Sequence, residues 1–566
     1  MDATNLPHPH RASRRDTVAS LRLRRPTDER VPTPEERVPT SGRARAPTLS
    51  RRRASTPSRE RDAGYARDMQ RRIPTDLVLG AATAAYQIEG AAAEDGRTPS
   101  IWDTFSRVPG AVIDGHTGDV ACDHYHRMPA DVALMRELGL QTYRFSTSWA
   151  RVRPDGGAPN PKGIDFYSRL VDELLGAGIM PWLTLYHWDL PQALEDAGGW
   201  TNRDTAHRFV DYALTVHEAL GDRVVNWTTM NEPWCSSFLS YTAGAHAPGR
   251  QSVEAGLQAG HHLLLAHGMA VAALREAGAE RLGITLNFQP ADPLDPTSAS
   301  DRDAARRLND QYNRFFVHPI VRGEYPESLL ADVGHLGLDA VVQPGDLATI
   351  AAPIEVLGVN YYHDDVVSFT PPAVPVLQDA PTDRAIASPY PAAEGVHAHP
   401  RDVPTTNMGW EVRPEGLTAL LRQLHDEYTG AAGIELWVTE NGASYDDEVV
   451  RESAPAAAAS AVAGGVAAGA GAAGADEGAD ASTGTARVHD RERVEFLRAH
   501  VGAVLDAIDA GVPVKGYMYW SLLDNYEWAW GYHKRFGIVR VDYDTQERTV
   551  KDSGLELARM LRERTL

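Results

Sequence analysis

From about residue 77 to the end of the chain, short apolar runs rich in β-branched and aromatic residues alternate with longer stretches of helical period. Eight of the runs read as strands, near 77–80, 142–145, 180–185, 224–227, 282–286, 356–359, 436–438 and 514–519. Amphipathic helices are expected between them at 129–138, 164–176, 204–220, 257–277 and 491–510. Strands joined by helical crossovers form βα units and a parallel sheet. Eight such units predict a (β/α)8 TIM barrel, an α/β fold whose strand C-termini all open onto one face.

Two segments break the pattern. Residues 1–68 have no hydrophobic period and carry 16 Arg, no Lys and 9 acidic residues, a net of +7 in a chain of net charge −21. Such a segment buries too little apolar area to offset its ordering entropy. It reads as a disordered extension to a single domain at 69–566, as a basic tether, or as translated sequence upstream of a start at Met69. The second, about 454–485, is almost all Ala, Gly and Ser. Each interspersed glycine costs a helix about 1 kcal/mol, and no apolar stripe exists to pack one. A flexible insertion is therefore expected at about 446–487, in the loop after strand seven.

The totals narrow the function classes. A chain of 566 residues, 43% hydrophobic, supports a domain of barrel size. A pI near 5.4 argues against nucleic acid as a partner of the whole molecule. Two cysteines, Cys122 and Cys235, build no disulfide framework, although one bridge between them stays open; this usage favours a reducing compartment and a cytoplasmic location. No membrane partner is expected, because no apolar run reaches the roughly 18 residues of a spanning helix and no secretory h-region is present. His124 and His126 beside Cys122 and Asp123, and His261, His262 and His267 on one helix, lack the paired-Cys or H-E-x-x-H spacing of a zinc site. The glycine-rich stretch at 464–474 follows no strand, so it is no phosphate loop. Neither metal nor cofactor is called for.

The chemistry gathers at the strand ends. One run closes on Asn231-Glu232-Pro233, another on Thr439-Glu440-Asn441-Gly442. In a parallel barrel both glutamates reach the same cleft, and two carboxylates facing one cleft suffice to cleave a glycosidic bond. Other strand ends carry Gln87, Arg144, His187-Trp188-Asp189, Asn360-Tyr361-Tyr362, Trp520 and Glu527-Trp528. Singly these fit a core histidine, a buried ion pair or core filler. Together they compose a sugar pocket, with polar groups for hydroxyls and indoles for the apolar ring face.

With these motifs the chain resembles glycoside hydrolase family 1, the β-glucosidase family, over roughly 73–562 apart from the Ala/Gly insertion. Tyr143-Arg144-Phe145-Ser146, His187-Trp188-Asp189-Leu190-Pro191 and Trp520-Ser521-Leu522-Leu523-Asp524-Asn525 join the two glutamate motifs in carrying the resemblance. It implies a retaining β-glucosidase of the kind used in cellulose degradation, with Glu232 as acid/base and Glu440 as nucleophile. It further implies that Gln87, His187, Asn231, Glu527 and Trp528 bind hydroxyls, Trp520 lies under the ring, Tyr362 bonds the nucleophile and Arg144 supplies its counter-charge. Glu527 implies unphosphorylated sugars, since related 6-phospho-glycosidases have a serine there. Thr147 departs from the common isoleucine. The aglycone side is expected to use Trp188, Phe238, Tyr241, Asn287 and Trp530. A β-galactosidase, β-fucosidase or broad β-glycosidase, a transglycosylase and a non-catalytic sugar-binding barrel are the alternatives. Oligomeric state is open, a homo-oligomer included.

Overall fold

Eight strands close a barrel: β1 (Val78–Ala82), β2 (Thr142–Ser146), β3 (Met180–Tyr186), β4 (Asn226–Asn231), β5 (Arg281–Phe288), β6 (Val356–Tyr361), β7 (Glu435–Asn441) and β8 (Val514–Trp520). This computed structural model describes residues 71–373, 381–382, 384–452 and 485–566. Neighbours run β1-β8-β7-β6-β5-β4-β3-β2, closing on β1, every pair parallel. The main helices outside are α1 (His124–Leu138), α2 (Pro161–Gly176), α3 (Asp204–Leu220), α4 (Val253–Glu276), α5 (Phe315–Arg322), α6 (Pro414–Leu424), α7 (Arg491–Asp509) and α8 (Asp552–Glu563). The expected TIM barrel is present.

Strands β2, β4 and β6 are buried along their whole length, which is why they read as runs and not as alternations. Inside the barrel Trp182 and Trp437 meet at 4.7 Å between ring centroids, with Ala82, Met518 and Trp520 in the same cluster. Gly516 makes room for this layer, because a Cβ there would stand 2.2 Å from the Trp437 ring. A second, larger apolar layer lies between the strands and the helices, where Leu79, Phe145, Leu183 and Leu436 are buried with Phe166, Phe209 and Leu417.

Element boundaries depart from the periodic reading in informative places. β4 begins at Asn226, not 224, because Val225 is 51% exposed in the turn after α3. α1 starts at His124 and runs through Pro129. Its added turn is held by burial of His124, whose Nδ1 lies 2.8 Å from Asp131 Oδ2.

The segment expected to be flexible at 446–487 has ordered ends. Glu448–Glu452 and Thr485–His489 form an antiparallel pair. Its root is ionic: buried Asp447 lies 3.1 Å from Arg493 and 2.9 Å from Lys551. The Ala/Gly-rich centre and the extension at 1–68 lie outside the described residues. No described helix is long and apolar enough to cross a membrane. Cys122 and Cys235 are both free and buried, so the bridge left open by the sequence is not made.

Candidate active site

The barrel mouth is shaped where its ladders lose register. Shifts occur between Thr228 and Asn231 in the β4–β5 pairing, and between Val438 and Glu440 or Asn441 in the pairings of β7. Such irregularities re-aim side chains, and both fall at the glutamate-bearing ends. Glu232, Trp188 and Trp528 take φ of 47°, 76° and 51°, a left-handed backbone that a side chain tolerates only at a cost of about 1–3 kcal/mol. Each is held by its surroundings: Glu232 N–H donates to Thr285 O at 2.9 Å, Trp188 Nε1 donates to Asn231 O at 2.9 Å, and Trp528 packs on Trp188 at 4.5 Å. After β7 the chain must pass close to β8, since a Cβ on Gly442 would stand 1.7 Å from Trp520 O.

The two glutamates, both buried, have unequal partners. Arg144 Nη1 donates to Glu440 Oε1 at 2.6 Å, and Tyr362 Oη donates to Glu440 Oε2 at 2.9 Å. Among the described residues no cation is bonded to Glu232. Asn360 Nδ2 donates to Glu232 Oε1 at 2.6 Å, and Cys235 Sγ stands 3.2 Å from Oε2. Burial, reinforced by the charge of Glu440, pushes the Glu232 carboxyl up to about 8. Burial raises Glu440 as well, but Arg144 and Tyr362 oppose it. Of the coupled pair, Glu232 is therefore the one that keeps a proton near neutrality.

A polar frame fixes this geometry. Arg144 Nη2 donates to Asn231 Oδ1 at 2.6 Å, and Thr439 Oγ1 donates to Asn360 Oδ1 at 2.8 Å. Asn231 Nδ2 donates to His187 Nε2 at 3.1 Å, which leaves the imidazole proton on Nδ1. That Nδ1, Glu527 Oε2 and Gln87 Oε1 are buried polar atoms with no partner among the described residues. Burial holds His187 neutral, well below the usual imidazole range, and pushes the Glu527 carboxyl up to about 8, helped by Glu440 and Glu232.

His187, Glu232, Tyr362, Glu440, Trp520, Glu527 and Trp528 line one cavity of about 400 Å³, within the range of small-ligand sites. Asn231 and Arg144 stand behind it as supports. Gln87 is fully buried and is not on the cavity surface; its Nε2 donates to Tyr526 O at 2.9 Å, tethering the loop that carries Glu527. The outer wall has Trp188, Asn287 and Trp530 as expected. Phe238 and Tyr241 do not line it. Phe238 faces Phe315 at 5.3 Å, and Tyr241 Oη donates to Glu195 at 2.5 Å, because the helix after Glu232 turns Phe238 toward α5 and Tyr241 toward the short helix Gln192–Asp196. In their place stand Trp234, Tyr312, Tyr390, Trp410 and Phe536. Thr147 uses its hydroxyl, 2.6 Å from Tyr212 Oη, so polarity there is satisfied.

The histidines weighed for metal have other partners: His261 Nε2 lies 2.9 Å from Asp346, and His267 Nδ1 lies 2.8 Å from Thr229. Among the described residues Asp114, His116 and His533 offer three ligand atoms close together. They are spent on hydrogen bonds: His533 on Asp114 at 2.7 Å, and His116 Nδ1 accepting from Tyr532 N at 3.3 Å.

A sequence profile described as glycosyl hydrolase family 1 matches residues 69–456 and 469–564. The chain belongs to glycosyl hydrolase family 1. It is a glycosidase. Among its family 1 relatives, the thermostable β-glucosidase B of Thermobispora bispora is 47% identical over 85% of this chain and 89% of its own length. A bifunctional β-D-glucosidase/β-D-fucosidase of Bifidobacterium breve is 45% identical over 85% and 96% respectively. The crystal structure of a psychrophilic β-glucosidase from Micrococcus antarcticus superposes with a TM-score of 0.80 at 52% identity, covering 87% of this chain and 98% of that one. A family 1 β-glucosidase from Thermotoga maritima, solved in complex with glucoimidazole, superposes with a TM-score of 0.74 at 40% identity over 88% of this chain and 100% of its own. The family match breaks only at 457–468, inside the Ala/Gly-rich insertion.

Sequence reading missed Asn360 as the partner of Glu232, Thr439 as its brace, and Cys235 beside it. Their only local signal was position at or just beyond a strand end.

Proposed function

We infer that this chain is a retaining β-glucosidase, hydrolysing terminal non-reducing β-D-glucosyl residues from β-glucosides and short oligosaccharides. The observation that carries the reading is the unequal partnering of the glutamates, with Arg144 and Tyr362 on Glu440 but, among the described residues, no cation bonded to Glu232. Glu440, held ionised, attacks the anomeric carbon from the α face. Glu232 gives its proton to the departing aglycone oxygen, leaving an α-glycosyl ester on Glu440. The ionised Glu232 then takes a proton from water, the hydroxide attacks the same carbon from the β face, and Glu440 leaves as a carboxylate with β-glucose released.

His187 Nδ1 and Glu527 Oε2, which line the cavity and have no partner among the described residues, suit the donors and acceptors of sugar hydroxyls. Trp520 supplies an apolar face for the ring. Glu527 accepts from the 4- and 6-hydroxyls, and in its ionised form it repels a 6-phosphate. The names of the relatives support the glucoside reading, and the Bifidobacterium breve protein supports some action on β-fucosides.

A panel of p-nitrophenyl glycosides, with Glu440→Ala supplied with azide, tests the proposal. Preference for the β-glucoside and formation of α-glucosyl azide by the variant are expected. An absence of β-glycoside cleavage by folded wild type, or a β-configured azide product, overturns it.

A further inference from the structure

Cys235 lies three residues past Glu232, at the start of the π-helical stretch Cys235–Thr242, so its side chain returns along the same face to the carboxyl. Sγ is 3.2 Å from Glu232 Oε2. On its other side, Asn287 Nδ2 points at Sγ from 3.7 Å and donates to Tyr312 Oη at 2.8 Å. The sulfur lone pairs thus face an N–H, which directs the thiol proton toward Glu232. Glu232 Oε1 is already taken by Asn360, so Oε2 is the oxygen that carries and releases the catalytic proton.

We propose that Cys235 is a positioning residue for the acid/base: its S–H donates to Glu232 Oε2 whenever that carboxyl is ionised, and its sulfur accepts when the carboxyl is neutral. The proposal rests on the acid/base reading of Glu232. An S–H donor to a carboxylate is worth more than an O–H donor to sulfur, because the charged acceptor strengthens the bond. The thiol therefore favours the ionised form needed when Glu232 activates water, and keeps Oε2 aimed between thiol and cleft in both half-reactions. Its own deprotonation does not compete, since burial and the Glu232 charge push the Cys235 thiol far up. Other titratable or charged groups facing Glu232 are Glu440 and Arg144 on β7 and β2, Tyr362 after β6, Glu527 after β8 and Tyr312 beyond β5. Of all these, Cys235 alone makes a hydrogen bond to Oε2.

The test is the pH dependence of kcat/KM for cellobiose, whose sugar leaving group needs its proton, measured on wild type, Cys235→Val, Cys235→Ser and Glu232→Gln. Valine fills the thiol's space, offers no proton and excludes a substitute water; thermal melts confirm that each variant is folded. The alkaline limb of Cys235→Val is expected to move up by about half a pH unit, the scale of one weak charge-assisted bond. Cys235→Ser, which keeps a donor, is expected to return the limb toward wild type. A folded Cys235→Val that loses activity evenly at all pH values, or whose limb does not move, overturns the role of the thiol, as does a serine variant that behaves like valine. An alkaline limb that persists unchanged in Glu232→Gln overturns the acid/base reading instead, so the two failures are distinguishable.

Discussion

Arg144 and Glu440, 296 positions apart in sequence, meet at 2.6 Å inside a barrel mouth where both are buried. The guanidinium uses its second nitrogen on Asn231, the residue immediately before Glu232, again at 2.6 Å. One side chain of β2 therefore sets both the charge of one glutamate and the backbone position of the other.

Replacing that arginine separates the two effects. Arg144→Lys keeps a charge but cannot span both partners. We expect kcat/KM to fall on the order of 10²–10³-fold, the usual cost of one preorganised electrostatic group. With its counter-charge weakened, Glu440 rises, so the acid limb of the pH profile moves upward. A limb that stays in place would mean that Arg144 does not govern the ionisation of Glu440.

The wild-type profile itself is a second prediction. In its proposed role as acid, Glu232 must be protonated, and its carboxyl is pushed up to about 8. Activity should hold below that value and fall as pH rises through it. On the acid side it falls as Glu440 gains a proton. Because the carboxyls are coupled, both limbs report the pair. Substrates with leaving groups that need no protonation should lose the alkaline dependence of the first step, which pre-steady-state bursts can read.

Glu527→Gln should act in opposite directions on activity and stability. In the proposed glycone site, losing a carboxyl that bonds two hydroxyls is expected to lower kcat/KM for glucosides by about 10²-fold. For stability, the folded carboxyl stands at about 8, above its unfolded value of 4.5. Its contribution is fully present below 4.5 and is lost as pH rises through 8. Removing the charge should therefore make the melting temperature of the variant exceed that of wild type by a margin that grows from pH 5 to pH 9. A constant margin would show that Glu527 does not titrate in this window.

Lys551 offers a stability test away from the chemistry. Its Nζ, fully buried, lies 2.7 Å from Asp524 and 2.9 Å from Asp447. Asp524 stands in the loop that leads to Glu527, and Asp447 roots the hairpin after β7. Lys551→Met leaves Asp524 with Arg535 and Asp447 with Arg493, each one cation poorer, a loss at or below the low end of the roughly 3–5 kcal/mol that a fully unpaired buried charge costs. A lower melting temperature with higher KM is expected, because the loop that Asp524 holds carries Glu527 into the cavity. The double variant Lys551→Met with Asp447→Asn should recover part of the loss.

Much of this was already legible along the chain. Eight strands, the alternation with helices and the placing of Glu232 and Glu440 at strand ends follow from local periodicity, since a strand buried on both faces reads as an apolar run and a charge at its end has no use but a pocket. Family motifs carried the expected bonds from Tyr362 and Arg144 to Glu440. What only the tertiary structure decided lies between elements. Asn360 and Thr439 brace Glu232 from neighbouring strands whose register is set by barrel closure. Cys235 reaches the same carboxyl because the helix after β4 widens, while Phe238 and Tyr241, three and six residues further on, face the core. Tyr390 and Trp410 build the outer wall from irregular segments that have no period to read, and Tyr312 joins them from a π-helical turn, Asn309–Arg314. Periodicity is a property of one segment against a core. A pocket is made where several segments converge, and their convergence depends on packing energies summed over the whole barrel.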